Sequence, residues 1–258
     1  MKRLMYLGAG LTLALAAAPP LGHAQAPAAG PDVEPAALAA LDKMGAYMRT
    51  LNAFQVRAVT TREDVLDDGE KVQFSAVTDL LAQRPDRFRA EVDGDLHSRI
   101  YLYDGKSFTL FARRVGYYAT VPAPPTLAEL SDRLDEKYGI EIPLADLFHW
   151  GGPKASTREI TAASDAGPGV VEGVTCEHYV FRQPGLDWQV WIQNGAFPLP
   201  RKVVITTTTD EARPQYSAVY TWNLAPSFND AAFTFDPPEG AKRIVFAEAS
   251  AAAGAVKK

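Results

Sequence analysis

The stretches of this chain that come closest to ligand-binding motifs each lack part of the pattern. Gly105-Lys106-Ser107 ends like a phosphate-binding loop, but the position where that loop needs its first glycine is Ile100. Asp93-Gly94-Asp95 lacks the further oxygen ligands that a calcium loop supplies. The sequence therefore predicts no nucleotide site and no calcium site at these turns.

Catalytic residues are equally hard to assemble. No Gly-x-Ser-x-Gly element is present, so an α/β-hydrolase nucleophile has no support. His97, His149 and His178 stand alone, without the spacing of metal ligands, and His178 shares strand parity with buried neighbours. Because no nucleophile, base and orienting group can be named together, we predict a protein that is not an enzyme. We also expect no metal and no cofactor.

The most regular pattern lies between residues 80 and 111, which read as short strands separated by tight turns. Phe88, Ala90 and Val92 alternate with charged residues over residues 87–92. Alternation with period two, closed by Gly and Asp turns, is typical of antiparallel strands with one buried face. The same pattern predicts strands at 54–66, 72–84, 98–103, 107–111, 116–121, 158–162, 169–173, 176–183, 186–193, 199–208 and 215–222, with a short closing strand at Phe233 and Phe235.

Three segments have helical spacing instead. Apolar residues at three- and four-residue intervals from Leu38 to Leu51 predict an amphipathic helix, with Asp32 as its N-cap. Thr126 with Glu129 forms a capping box before a second helix that ends at Tyr138. A third helix is predicted over residues 143–150. The fold class is therefore mainly β (α+β): an incomplete, strongly curved antiparallel β-barrel with an N-terminal helix and short covering helices.

The first residues have the organisation of a secretory leader. Lys2 and Arg3 precede an apolar run, and Gly22-His23-Ala24 forms a small-x-small cleavage site. We expect a signal peptide at 1–24, a disordered linker at 25–31, one domain at 32–246 and a flexible tail at 247–258. Removing the leader takes the formal charge from −5 to −7, which leaves no electrostatic footprint for nucleic acid. With a single cysteine, Cys176, the mature chain is expected in a bacterial periplasm.

Apolar side chains are more numerous than these helices can cover, so a curved sheet would present them on its concave face. The alternative is a fully packed core. The candidate ligand-binding residues are Phe74, Leu80, Arg84, Phe88, Phe108, Leu110, Trp188, Val190 and Trp222, with Tyr220 also available. The candidate lid residues, on the third helix, are Leu144, Leu147, Phe148 and Trp150.

Several stretches resemble the LolA/LppX-like family of periplasmic lipid and lipoprotein carriers. They are the Arg84-Pro85 step followed by Phe88, the Tyr103-Asp-Gly-Lys106 hairpin and the ending at 232–240, and they occur in the family's order. The middle of the chain departs from true LolA, through a longer second helix and an extra segment at 158–173. The sequence is more similar to an uncharacterised family of predicted periplasmic proteins that is grouped with this fold.

The resemblance implies an incomplete barrel that holds acyl chains, with Arg84 in contact with the lid and Phe88 at the rim. It implies a non-enzymatic binder or carrier of acyl-chain ligands, either lipid or acylated protein. It also implies a possible inner- or outer-membrane protein partner. Since RseB, an envelope-stress regulator, contains the same fold, a sensor module that interacts with a membrane protein is the alternative.

Overall fold

The structure is a computed structural model, and it describes residues 32–150, 152 and 157–249. The expected leader and linker, and the tail beyond residue 249, lie outside the described residues. Within them, none of the helices combines the length and the hydrophobicity that a membrane span requires.

The described part of the chain is dominated by a single β-sheet of short and medium strands. Its strands are β1 (Ala53–Val65), β2 (Lys71–Gln83), β3 (Arg87–Gly94), β4 (Ser98–Tyr103), β5 (Ser107–Ala112), β6 (Tyr117–Pro122), β7 (Ala162–Val171), β8 (Val174–Gln183), β9 (Leu186–Gln193), β10 (Pro200–Thr207), β11 (Gln215–Asn223) and β12 (Lys242–Arg243).

The strand order is β12-β6-β5-β4-β3-β2-β1-β11-β10-β9-β8-β7, so hairpin neighbours pair throughout except where β1 meets β11 and β12 meets β6. All pairs are antiparallel apart from β12 with β6. The sheet is curved and is not closed into a barrel. The predicted fold class is confirmed.

Within the described residues, three α-helices accompany the sheet: α1 (Pro35–Thr50), α2 (Leu127–Tyr138) and α3 (Asp146–His149). Helix α1 buries Ala37, Met44 and Met48 in the same core as the concave face of the sheet. Helix α2 begins as the capping box predicts, because the Thr126 hydroxyl accepts the backbone N–H of Glu129 at 3.3 Å. It ends at Gly139, whose left-handed conformation (φ 62°) suits a residue without a side chain.

Three local predictions are wrong. The N-cap of α1 is Glu34 and not Asp32, and no side chain caps this helix end. The strands expected at 158–162 and 169–173 are one strand, β7, which bulges between Asp165 and Gly167, while Thr157–Glu159 forms a 3₁₀ turn. Phe233 ends another 3₁₀ turn, Asp230–Phe233, in place of a closing strand. The Phe235 ring lies on the convex face, with its centroid 5.1 Å from that of Tyr118.

Candidate functional site

One part of the concave face, here called the packed half, is filled by aromatic rings. Strand register brings Phe54, Phe88, Tyr103 and Phe108 together on neighbouring strands, and all four side chains are fully buried. Phe148 of α3 completes the set, with ring centroids 6.2 Å from Phe54 and 6.4 Å from Phe88. Rings packed at these separations leave no room for a ligand.

Nearer the β1–β2 and β3–β4 turns, the same face carries small residues. Pairing across four strands aligns Ala218, Thr60, Ala76 and Gly94 in one row, here called the floor row. The row on one side carries the large residues Tyr216, Arg62 and Phe74, and the row on the other side carries Tyr220 and Val92 at its ends with the small Ala58 and Thr78 between them. Because side chains two positions apart share a face, the floor row is a trough with larger residues along its Tyr216 side.

Gly94 is required at its end of the floor row by the close approach of β2. A Cβ added there would lie 2.6 Å from the Cβ of Ala76 and 2.7 Å from the carbonyl oxygen of Ser75. The glycine therefore allows β3 to sit against β2 at the point where the trough begins.

The trough is the base of a cavity of about 700 Å³, here called the cavity. The floor-row members that line it are Thr60, Ala76 and Gly94. The segment between α2 and α3 forms the opposite wall, with Ile140, Ile142 and Leu144 among its side chains. The remaining apolar and aromatic lining comes from Phe74, Val92, Leu96, Tyr101, Pro143, Ala145, Ile205, Tyr216 and Tyr220.

Basic side chains gather where the sheet borders the cavity. Arg62, His97 and Arg99 all line it. The pKa of His97 is lowered, first by burial and then by the positive charges of Arg99, Arg62 and Arg114. Arg62 pairs with Asp64 at 2.9 Å, whereas the Arg99 guanidinium has no hydrogen-bond or ion-pair partner among the described residues. This border of the cavity therefore carries an uncompensated positive charge.

Acidic side chains line the opposite wall. Asp135, Glu141 and Asp146 belong to α2, the connecting segment and α3. The Asp146 side chain is accessible from the cavity, but the protein around it raises the pKa of its carboxyl group by desolvation, which the charge of His149 partly opposes. Within the described residues, this carboxylate makes no hydrogen bond and no ion pair.

Two phenols lie close to Asp146. Burial raises the pKa of Tyr216 to about 12, and the negative charge of Asp146 contributes to the increase. Tyr220 is affected in the same way, and its pKa lies well above the usual value. Both hydroxyl groups are therefore protonated at neutral pH.

The structure brings together one serine and histidine that the sequence left apart. The His149 Nε2 atom lies 3.4 Å from the Ser131 hydroxyl, and Ser131 also lines the cavity. Asp146 precedes His149 by one helical turn but forms no hydrogen bond with it among the described contacts. Without an orienting bond to the imidazole, this pair lacks the third member of a hydrolytic triad. No group of three or more His, Cys, Asp or Glu side chains in the described region could hold a metal ion.

The predicted ligand-binding residues are divided between the two parts of the concave face. Phe74 lines the cavity. Leu80, Phe88, Phe108 and Val190 are fully buried in the core. Leu110, Trp188 and Trp222 are half-buried against that core. Of these, the Trp188 ring stacks on Phe181 at 4.3 Å, and the Trp222 indole donates to the Pro200 carbonyl at 2.8 Å. A role for any of them in ligand binding stays a prediction.

The predicted lid residues are divided as well. Leu144 lines the cavity, and Trp150 is half-buried. Leu147 and Phe148 are the buried residues of α3 and face the core. Arg84 lies under α3 in the packed half, with its guanidinium carbon 5.7 Å from the centre of the Phe148 ring. Its Nη2 atom donates to the Leu147 carbonyl at 3.5 Å, while its buried Nε–H has no partner. Burial lowers the pKa of Arg84.

Sequence reasoning missed the residues that create the cavity. Ala76 and Gly94 fit the alternating pattern but are inconspicuous, and Asp146 lies within the predicted third helix, where only the apolar residues are candidates. The available signal was the occurrence of small residues at inward-facing positions of consecutive strands. Its meaning depends on strand register, which the sequence does not specify for β1 and β11.

Comparison with known proteins places the chain in a family. Residues 37–247 match a family described as predicted periplasmic proteins of unknown function, so the chain belongs to that family. The expected membership of an uncharacterised periplasmic family and the expected periplasmic location are thereby confirmed. No curated protein matches the sequence significantly.

Several solved structures are similar in fold at low sequence identity. An uncharacterised conserved protein from Thermus thermophilus has a TM-score of 0.45 and 11% identity, over 81% of this chain and 99% of its own. The Mycobacterium tuberculosis lipoprotein LppX has a TM-score of 0.40 and 11% identity, over 76% and 100%. A LolA superfamily protein from Nitrosomonas europaea has a TM-score of 0.38 and 11% identity, over 77% and 97%. LppX and a LolA superfamily protein, whose family the sequence resembles, are thus among the solved structures to which this chain is similar.

Proposed function

We propose that this protein is a periplasmic, non-enzymatic binder or carrier of ligands that contain an acyl chain, and that the cavity is the binding site. The observation that carries the proposal is a cavity of about 700 Å³ that is lined by apolar and aromatic side chains together with charged groups along its borders. That volume lies within the range of about 300–1,000 Å³ in which proteins hold small molecules. It suits one acyl chain with its polar end at the charged border.

Apolar burial supplies the driving force for such binding. The walls offer Val92, Ile142 and Ile205, and each methylene group of a chain removed from water contributes about 0.8 kcal/mol. The trough exists before any ligand enters, so little of this free energy is spent on opening a packed core. A single-chain amphiphile or one chain of an acylated protein would fit this description.

Native mass spectrometry of protein purified from periplasmic extract tests the proposal. We expect an adduct whose mass corresponds to an intact acyl-bearing molecule, and its removal by delipidation should lower the melting temperature by mass action. Bare protein that also fails to bind added lysophospholipid would contradict the proposal. Release of free fatty acid by wild-type protein, abolished in Ser131→Ala, would contradict its non-enzymatic part.

We also propose that Arg84 positions α3 over the sheet. Its bond to the Leu147 carbonyl ties strand β2 to the cover of the concave face, with a strength of about 1.5–3 kcal/mol at most for a charged donor. Arg84→Leu should keep the fold, make the 139–150 segment more sensitive to protease and increase ligand retention, because the empty closed state loses this bond. Unchanged proteolysis and unchanged retention would argue against this role.

The sensor alternative predicts a stable complex with a membrane protein. No particular contact among the described residues favours it over the carrier. Affinity purification from membranes would support it if one partner were retained stoichiometrically while no lipid was found.

A further inference from the structure

With the exception of Asp95, the charged groups that line the cavity are divided by sign. The basic residues Arg62, His97 and Arg99 come from β1, the β3–β4 turn and β4, on the sheet side. The acidic residues Asp135, Glu141 and Asp146 come from the helical cover. No described ion pair joins these two groups across the cavity. A neutral ligand would leave both sets of charges unsatisfied, and a ligand of one sign would satisfy only one.

The positive side has the properties of an anion site. Arg99 offers five N–H donors and has no acceptor among the described residues. Arg62 adds a second positive charge, and the His97 imidazole, whose lowered pKa favours its neutral form, can donate one N–H. Two acids lie on this side: Asp64 pairs with Arg62, and the Oδ2 atom of Asp95 accepts the backbone N–H of Ser75 at 2.7 Å. A phosphate or carboxylate group would accept charge-assisted hydrogen bonds here.

The negative side has the properties of an ammonium site. Asp146 lines the cavity, is exposed to it and has no hydrogen-bond or ion-pair partner among the described residues, so a cation in the cavity could pair with it. Among the described residues that line the cavity, Arg62 and Arg99 carry positive charge, and neither forms an ion pair with Asp146. The rings of Tyr216 and Tyr220 beside Asp146 are electron-rich surfaces of the kind that binds ammonium groups.

We infer that the cavity receives an amphiphile with a zwitterionic head, holding its anionic group at Arg62, His97 and Arg99 and its ammonium group at Asp146, Tyr216 and Tyr220. This inference rests on the proposed function. A phosphoethanolamine head on an acyl chain has this chemistry, and such a head can come from a lipid or from its deacylated product.

Calorimetric titration with four probes separates the contributions of the acyl chain, the anionic group and the ammonium group to binding. The probes are lysophosphatidylethanolamine, lysophosphatidylglycerol and monoacylglycerol with the same chain, and glycerophosphoethanolamine with none. We expect the first to bind about tenfold or more tightly than the second and third, as charged hydrogen bonds would give. The deacylated probe should bind far more weakly than its lipid, because it lacks the chain.

Variants on the two sides should respond differently. Arg99→Gln should weaken the binding of both phospholipids about tenfold and leave the affinity for monoacylglycerol unchanged. Asp146→Asn should weaken the binding of lysophosphatidylethanolamine alone. If this variant kept its affinity for lysophosphatidylglycerol, that would show that the variant is folded. The matched controls are Arg57→Gln and Asp79→Asn, which break an exposed ion pair of 2.7 Å on the opposite face of the sheet and should change no affinity.

Equal affinity for the three acyl probes, with no effect of Arg99→Gln or Asp146→Asn, would overturn the inference while the proposed function stood. Failure of all three acyl probes to bind would overturn both. If deacylated glycerophosphoethanolamine bound as tightly as its lipid, the inference that the ligand is an amphiphile would be overturned. The site would then recognise the free head group alone.

Discussion

The packed half and the cavity lie on the same face of the same strands, and they differ in the size of the residues at equivalent positions. On β3, Phe88 fills the packed half, and Gly94 leaves space six residues later. On β2, Leu80 is fully buried, whereas Ala76 borders the cavity. The comparison teaches that one half of the concave face is filled by packed side chains while the other half leaves a cavity, which is the binding site in the proposed function.

The largest expected effect is the loss of an aromatic ring from the packed half. Phe88 is fully buried, so Phe88→Ala should lower the free energy of unfolding by about 3–5 kcal/mol in chemical denaturation. Phe74→Ala, at the half-buried equivalent beside the cavity, should lower it by only about 1–1.5 kcal/mol, which is about half the free energy of transferring a phenylalanine side chain from water to the core, because no new closed cavity is left behind. Similar losses for both variants would show that the cavity side is packed as tightly as the other.

A methyl group at the edge of the floor row should have an intermediate effect. Gly94→Ala places a Cβ within 2.7 Å of the Ser75 carbonyl oxygen and closer still to Ala76. We expect a loss of about 1–3 kcal/mol from overpacking. Ala76→Gly in the same chain should recover part of it, which a double-mutant cycle measures. If the two substitutions were additive, β2 and β3 would not approach as described.

The smallest effect concerns the acid of the cavity wall. Since the pKa of Asp146 is raised in the folded protein, the native state binds more protons than the unfolded state between the two pKa values. Stability from this group is therefore lost as pH rises through that window. Asp146→Asn should raise the stability of the ligand-free protein at neutral pH by less than about 1 kcal/mol, because cavity water screens the charge. The gain should vanish at acidic pH, as melting curves across pH would show. A gain that grew toward acidic pH would contradict this assignment.

Much of the sheet could be predicted because alternation with period two survives on most strands, and the bounds of β4 and β9 match the prediction. The errors have local causes. Phe233 and Phe235 alternate like a strand, but their rings pack on the convex face and the backbone has no strand to pair with. Residues 158–173 hide one strand because the bulge at Gly167 shifts the alternation.

The candidate site was less predictable than the sheet. The sequence identifies large apolar residues as candidates, and most of those form the packed half. The cavity is defined instead by Thr60, Ala76 and Gly94, which meet only through the register of three strands. Small residues give no periodic pattern along the chain, so the candidate site can be identified only when the positions of the strands are known.

The central claim is that the floor row is hollow in order to hold an acyl chain. Paired titration of Ala76→Leu and Val77→Leu with lysophosphatidylethanolamine tests it most directly, because these adjacent residues of β2 face opposite sides of the sheet. Leucine at 76 should fill the trough and weaken binding about tenfold or more, the equivalent of losing two or more buried methylene groups, with little change in stability. Leucine at 77 should leave binding unchanged. Wild-type affinity in folded Ala76→Leu would contradict the account.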